Sequence, residues 1–145
     1  MNRFWMIGYC LLVAMTSAAV ADESIEPGQW KVTTKMVMNG AAAPPQIKMR
    51  CLTPEQASDL GGTFGAVMTM VNSTCERTEY DATGRRLKWH MRCKGQLDMD
   101  VAGDFNFDSS SHYTATVASK AWMGGAQISD VKTELEGEHV GACPK

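Results

Sequence analysis

The stretch from Cys75 to Cys93 limits the possible folds more than any other. Its two cysteines lie nine residues either side of Gly84, and Asp81-Ala82-Thr83-Gly84 has the chemistry of a turn. Asp can bond its own backbone, and Gly accepts positive φ without steric cost. Beyond the turn, Leu87, Trp89, Met91 and Cys93 alternate with Lys88, His90 and Arg92, the period of a half-buried strand. The stretch reads as a β-hairpin closed at its open end by a disulfide. One detail conflicts with a simple hairpin. Arg77 and Glu79 share parity with Cys75, so direct pairing with Cys93 puts both on the face of Trp89 and Met91. A bulge, or an open face, resolves it.

The same alternation recurs along the chain. Trp30, Val32, Thr34, Met36 and Met38 alternate with Lys31, Thr33 and Lys35, up to a turn at Asn39-Gly40. Ala41 to Pro45 reads as a loop, and Ile47, Met49 and Cys51 then alternate with Lys48 and Arg50. Thr53-Pro54-Glu55-Gln56 starts a helix over about 54–60, with Thr53 as N-cap, Pro54 in the first turn and Gln56 at the capping-box position. Gly61-Gly62 is the expected stop, and Phe64 to Val71 is ambiguous between helix and strand. Leu97 to Phe107 reads as one long strand, bent or bulged at Gly103. Tyr113, Ala115 and Val117 mark another strand, Trp122 to Gly125 a loop, and Val131 to Glu138 a last strand. About seven strands with short turns predict an all-β domain. Its form is an antiparallel meander curled into a barrel or half-barrel, which leaves fewer exposed edges.

The first residues are set apart. Arg3, the apolar run Phe4 to Val13 and the small-x-small site Ala19-Val20-Ala21 form a signal peptide over 1–21, leaving a single domain over 22–145. The apolar run is too short for a permanent membrane anchor, which needs about 20 residues. Cleavage removes only Arg3 among the charges, so 14 − 1 = 13 Lys and Arg face 16 Asp and Glu, a net of −3. Nothing in that balance favours nucleic acid. Removing Cys10 leaves Cys51, Cys75, Cys93 and Cys143, an even set that reads as two disulfides in an exported chain. Three pairings are open. The hairpin favours Cys75–Cys93 and so Cys51–Cys143, which brings the end of the last strand back to the second. The competing zinc site lacks any Cys-x-x-Cys or Cys-x-x-His spacing.

Pro27-Gly28-Gln29-Trp30 with its alternating strand, then Cys51-Leu52-Thr53-Pro54-Glu55, the Cys75 and Cys93 pair, Phe105 with Tyr113, and Gly141-Ala142-Cys143 form a combination. It resembles the bacterial domain-of-unknown-function 3617 family over nearly the whole mature chain. The resemblance implies a small exported protein of Gram-negative bacteria and lends no catalytic residues. The Ala41 to Pro45 loop departs from the family in being poor in Met.

Candidate sites are few. Arg86, Lys88, His90, Arg92 and Lys94 share one strand face. They either meet an anionic envelope component or pair across strands with Glu76, Asp98 and Asp100; cross-strand pairing is the favoured reading. Glu134, Glu136 and Glu138 form a solvated acidic stripe. Met36 and Met38 place two thioethers on one face and are the candidate Cu(I) ligands; as core filler they have no metal role. No Gly-x-Ser-x-Gly, His-Glu-x-x-His, phosphate loop or redox Cys-x-x-Cys occurs, so no catalytic residue and no cofactor is assigned. The expectation is a non-catalytic, periplasmic or secreted protein that binds a small hydrophobic ligand or an envelope partner. Copper binding and a structural envelope role are the alternatives.

Overall fold

The computed structural model describes residues 24–66 and 70–145, so the signal peptide expected over 1–21 lies outside the described residues. Eight strands form one sheet: β1 (Gly28–Met38), β2 (Ala41–Ala42), β3 (Gln46–Leu52), β4 (Ser73–Thr83), β5 (Arg86–Gly95), β6 (Asp98–Asn106), β7 (His112–Met123) and β8 (Ala126–Gly141). Two short helices, α1 (Pro54–Ser58) and α2 (Leu60–Phe64), connect β3 to β4. The strands from β4 to β8 run as a meander, and β1 then adds beside β8, with β2 and β3 on its far side. Every pairing is antiparallel. Edge strands β3 and β4 do not pair, so the sheet is an open, curled half-barrel.

The central hairpin shows how the register conflict is settled. Its turn is Gly84-Arg85, with Gly84 at φ 60° and Thr83 opposite Arg86. Glycine at the first central position is the two-residue hairpin pattern that matches strand twist. Asp81 to Thr83, expected in the turn, stay in β4. Counting back from that turn without interruption would set Cys75 opposite Lys94, which points outward. A bulge between Arg77 and Glu79 shifts the register by one, and Cys75 then faces Cys93 with Cα atoms 3.9 Å apart. The bulged residue, Thr78, holds the partner strand through its hydroxyl, 3.0 Å from His90 Nδ1. Glu79 is thereby turned to the outer face.

Two further hairpins close on residues with positive φ, Asn39-Gly40 and Gly124-Gly125. Both are two-residue turns of the primed kind. Consequently Ala41-Ala42 pairs with β1 instead of looping, and Trp122 and Met123 belong to β7 instead of a loop.

The concave face carries the core. Trp30 and Val32 from β1, Tyr113 and Ala115 from β7, Phe105 and Val101 from β6, and Leu87, Trp89 and Met91 from β5 are all buried there. Two glycines make room for the largest rings. A Cβ at Gly103 would sit 2.4 Å from Trp89 Cε2, and one at Gly137 would sit on the ring of Tyr113. Gly103 thus serves packing: β5, β6 and β7 pair through it without a register shift, and the expected bend is absent. Phe64 from α2 enters the concave face from the open side, its ring centroid 5.2 Å from both Phe107 and Tyr113. Trp89 Nε1 donates to Phe64 O at 3.0 Å and fixes the plug in place.

The helix begins as read, with the Thr53 and Gln56 capping box present. It differs further on. The break falls at Asp59, whose carboxylate accepts from Gly62 N at 2.9 Å and starts α2, so Gly61 and Gly62 lie inside a helix. The chain ends by crossing the start of β1. Gly141 O lies 2.4 Å from where a Gly28 Cβ would be, a close approach that only glycine permits. Past this crossing Cys143 reaches Cys51, with Cα atoms 5.6 Å apart.

Strand β3 has the alternation read from the sequence, but its polar side faces inward. Lys48 is opposite Val32 and Arg50 opposite Trp30, and directly opposed residues share a face. Ile47 and Met49 therefore point away from the core and are 64% and 52% exposed. On an edge strand, register with β1 decides the facing, and residue polarity does not.

Candidate functional site

The open side of the half-barrel leaves a cleft of about 500 Å³ between α2, β3 and the concave face. Val32, Phe64, Phe105, Tyr113 and Leu135 line it with apolar surface, and Lys48 and Arg50 line it from the edge strand. The strand period places Val32, Leu135, Tyr113 and Phe105 inward on four successive strands. Phe64, with Thr63 beside it, comes from outside the sheet, on α2.

The polar groups of the cleft are few. The Arg50 guanidinium lies 5.2 Å from the Phe64 ring centroid, a cation–π distance, and a long 3.5 Å contact runs from Arg50 Nη2 to Thr63 O. Among the described residues no carboxylate lies within ion-pair distance of Lys48 or Arg50. Glu55 and Asp59 border a hollow on the other side of Arg50, with Asp59 committed to Gly62. Tyr113 is buried at the cleft floor; burial pushes its phenol up, and the nearby Arg50 charge works in the opposite direction. Its hydroxyl makes no hydrogen bond to the described residues.

The outer face carries the charges singled out in the sequence, and they are paired. Arg86 and Lys88 each lie 3.4 Å from Asp104, His90 is 2.7 Å and Arg92 3.2 Å from Asp100, and Lys94 is 2.7 Å from Asp98. Asp104 is the partner the sequence reading missed; Glu76 lies opposite Arg92 but forms no ion pair among the described residues. Burial tends to raise the Asp100 carboxyl, yet His90 and Arg92 outweigh it and hold the group low. The acidic stripe is matched likewise: Glu134 with Lys132, Glu136 with His112, and Glu138 with Lys31. His112 is bracketed by Asp108 at 2.8 Å and Glu136 at 3.1 Å, hydrogen bonds that raise its pKa. A groove of about 580 Å³ lined by Arg86, Lys88, His90 and Asp104 lies among these pairs. Its cations are already met, which makes it a poor receptor for a further anion.

Met36 and Met38 share one face of β1, Met36 half-buried and Met38 49% exposed. His139, the histidine facing β1, sits opposite Trp30 at the other end of the strand, while His90 and His112 lie on the outer face. No group of three or more His, Cys, Asp or Glu residues able to hold a metal occurs among the described residues. Cys51, Cys75, Cys93 and Cys143 lie in the two disulfide pairs, bonds characteristic of oxidising compartments. No helix among the described residues is long and apolar enough to cross a membrane.

The molecule is thus a disulfide-stapled, antiparallel β half-barrel with a helical plug and an open apolar cleft. The chain belongs to the family described as "Protein of unknown function (DUF3617)", whose model matches residues 25–143. The match runs from the residue that ties the start of the chain to α1, through Ile25 N to Ala57 O, to the last cysteine. No curated protein and no solved structure matches the chain.

Proposed function

We propose that the protein is a non-catalytic, exported binding protein, acting in the periplasm or outside the cell, that takes a small hydrophobic ligand into the cleft of its half-barrel. One observation carries this reading: apolar side chains from four strands and a helix converge on a cleft of about 500 Å³ that no part of the described chain fills. That volume falls within the roughly 300–1,000 Å³ of small-molecule sites, which are mostly apolar with a few placed polar groups. The paired outer face leaves the cleft as the surface with unmet binding capacity. The pattern of the chain's start, a basic residue, an apolar run and a small-residue cleavage site, supports export, and so do the disulfides. Native mass spectrometry of protein purified from the periplasm tests the proposal. The expected result is a population carrying an extra lipid-sized mass that is lost when Leu135 is replaced by Arg. Bare protein alone, which also fails to take up added amphiphiles, would refute it.

A further inference from the structure

The cleft is apolar at its floor and cationic at its rim, and the two cations there have no carboxylate to meet. Lys48 and Arg50 stand on the same face of β3, opposite Val32 and Trp30, with the Tyr113 hydroxyl below them also lacking a partner among the described residues. Most cations of the outer face are met differently: Arg86, Lys88, Arg92, Lys94, Lys120 and Lys132 each have an acidic partner within 4 Å. Arg77, inward on the other edge strand, also lacks a carboxylate partner among the described residues and lies over the Tyr80 ring. Two unmet cations on the inward side of a strand, over the apolar lining of the cleft, tell against a purely apolar occupant. A neutral hydrocarbon would cover the charges and desolvate them without compensation, a cost that disfavours binding.

Resting on the cleft reading above, the geometry points to a single-chain anionic amphiphile as the ligand: a fatty-acid carboxylate whose chain lies over Val32, Phe105, Tyr113 and Leu135 and whose head is held by Arg50 and Lys48. Guanidinium and carboxylate are planar and can pair through two parallel hydrogen bonds, and Lys adds a point charge beside them. The Tyr113 phenol, protonated at neutral pH like any tyrosine, is a donor within the same cleft. The long contact from Arg50 to Thr63 O and its position on the Phe64 ring hold the guanidinium at the cleft without using it up. The net charge of the mature chain, −3 from 13 cationic and 16 anionic residues, opposes this selectivity. An anion preference, if measured, must therefore come from a local site.

Isothermal titration calorimetry of the delipidated mature protein, with laurate, dodecanol and dodecyltrimethylammonium below their critical micelle concentrations, separates the claims. Laurate should bind at least about ten-fold more tightly than dodecyltrimethylammonium, consistent with the worth of charge-assisted hydrogen bonds. The preference should shrink with added salt. In the Lys48→Gln/Arg50→Gln variant, with an unchanged circular dichroism spectrum, laurate affinity should fall to that of dodecanol while dodecanol affinity stays. Equal binding of the anion and the cation, or a preference that survives in the variant, overturns the anionic-head assignment and leaves the cleft standing. Failure of all three amphiphiles to bind overturns the cleft reading as well.

Discussion

Replacing Gly137 with Ala tests how the core and the cleft floor are built. Gly137 lies between Val32 and Tyr113 in neighbouring strands, and its φ is not in the left-handed region. Alanine is therefore acceptable to the backbone, and in open space the change would stabilise by about 0.4–1 kcal/mol through the unfolded state. Here the added methyl would fall on Tyr113, 2.4 Å from Cζ and 2.6 Å from Cδ1. The ring cannot retreat easily, because Trp30, Phe64 and Phe107 have centroids within 5.6 Å of it. Overpacking of this kind costs about 1–3 kcal/mol, or roughly 4–15 °C in Tm for a domain of this size. Thermal denaturation followed by circular dichroism measures it. A double-mutant cycle assigns the cause: with Tyr113→Ala already in place, adding Gly137→Ala should cost nothing further or regain a little. A neutral Gly137→Ala, or strictly additive losses, would refute the idea that this glycine exists to seat the ring.

Deleting Thr78 removes the bulge but leaves Arg77 opposite Met91 and Cys75 opposite Cys93 in an uninterrupted ladder. Peptide maps should still recover the Cys75–Cys93 linkage, and two free cysteines by thiol labelling under denaturing, non-reducing conditions would show that the register account is wrong. His112 has a folded pKa raised chiefly by its hydrogen bond to Asp108 and next by Glu136. Its contribution to stability is fully present below the unfolded value near 6.5 and is lost as pH rises through the higher folded value. Denaturant titrations of His112→Gln should thus differ from wild type at pH 5.5 and converge with it at alkaline pH, and a gap that widens with pH contradicts the assignment. Exchanging Met36 and Met38 for Leu should cost less than about 1.5 kcal/mol and leave amphiphile binding intact. Stoichiometric Cu(I) uptake by the wild type that disappears in this variant would move the site from the cleft to the methionine pair.

Much of the architecture is legible in the chain because a period of two reports which residues share a face. It foretold strand β5 with its apolar Leu87, Trp89, Met91 and Cys93, and it exposed the parity conflict that the Thr78 bulge resolves for Glu79, while Arg77 stays opposite Met91. The capping box at Thr53 is likewise local chemistry. What the period does not report is the neighbour a strand will find. That β8 takes β1 on its free edge depends on contacts between residues about 90 or more positions apart, and that β3 presents Lys48 and Arg50 inward depends on its register with β1. The cleft was illegible for that reason: its cations look like ordinary outward residues of an alternating strand. Phe64 was hidden differently, in a segment too short for its apolar content to reveal a period. Gly103 read as a bend and Gly137 as one more position of the last strand, since the rings they accommodate come from other strands.

Two-dimensional ¹H–¹⁵N NMR of the domain over residues 22–145 titrated with laurate tests the central claim most directly. The amide resonances of Val32, Thr34, Lys48, Arg50, Phe64, Tyr113 and Leu135 should move together and saturate at one equivalent, while those of Arg86, Lys88, Asp104 and the rest of the outer face stay in place. Shifts confined to the outer face, or spread evenly over the sheet without saturation, would contradict a binding site in the half-barrel.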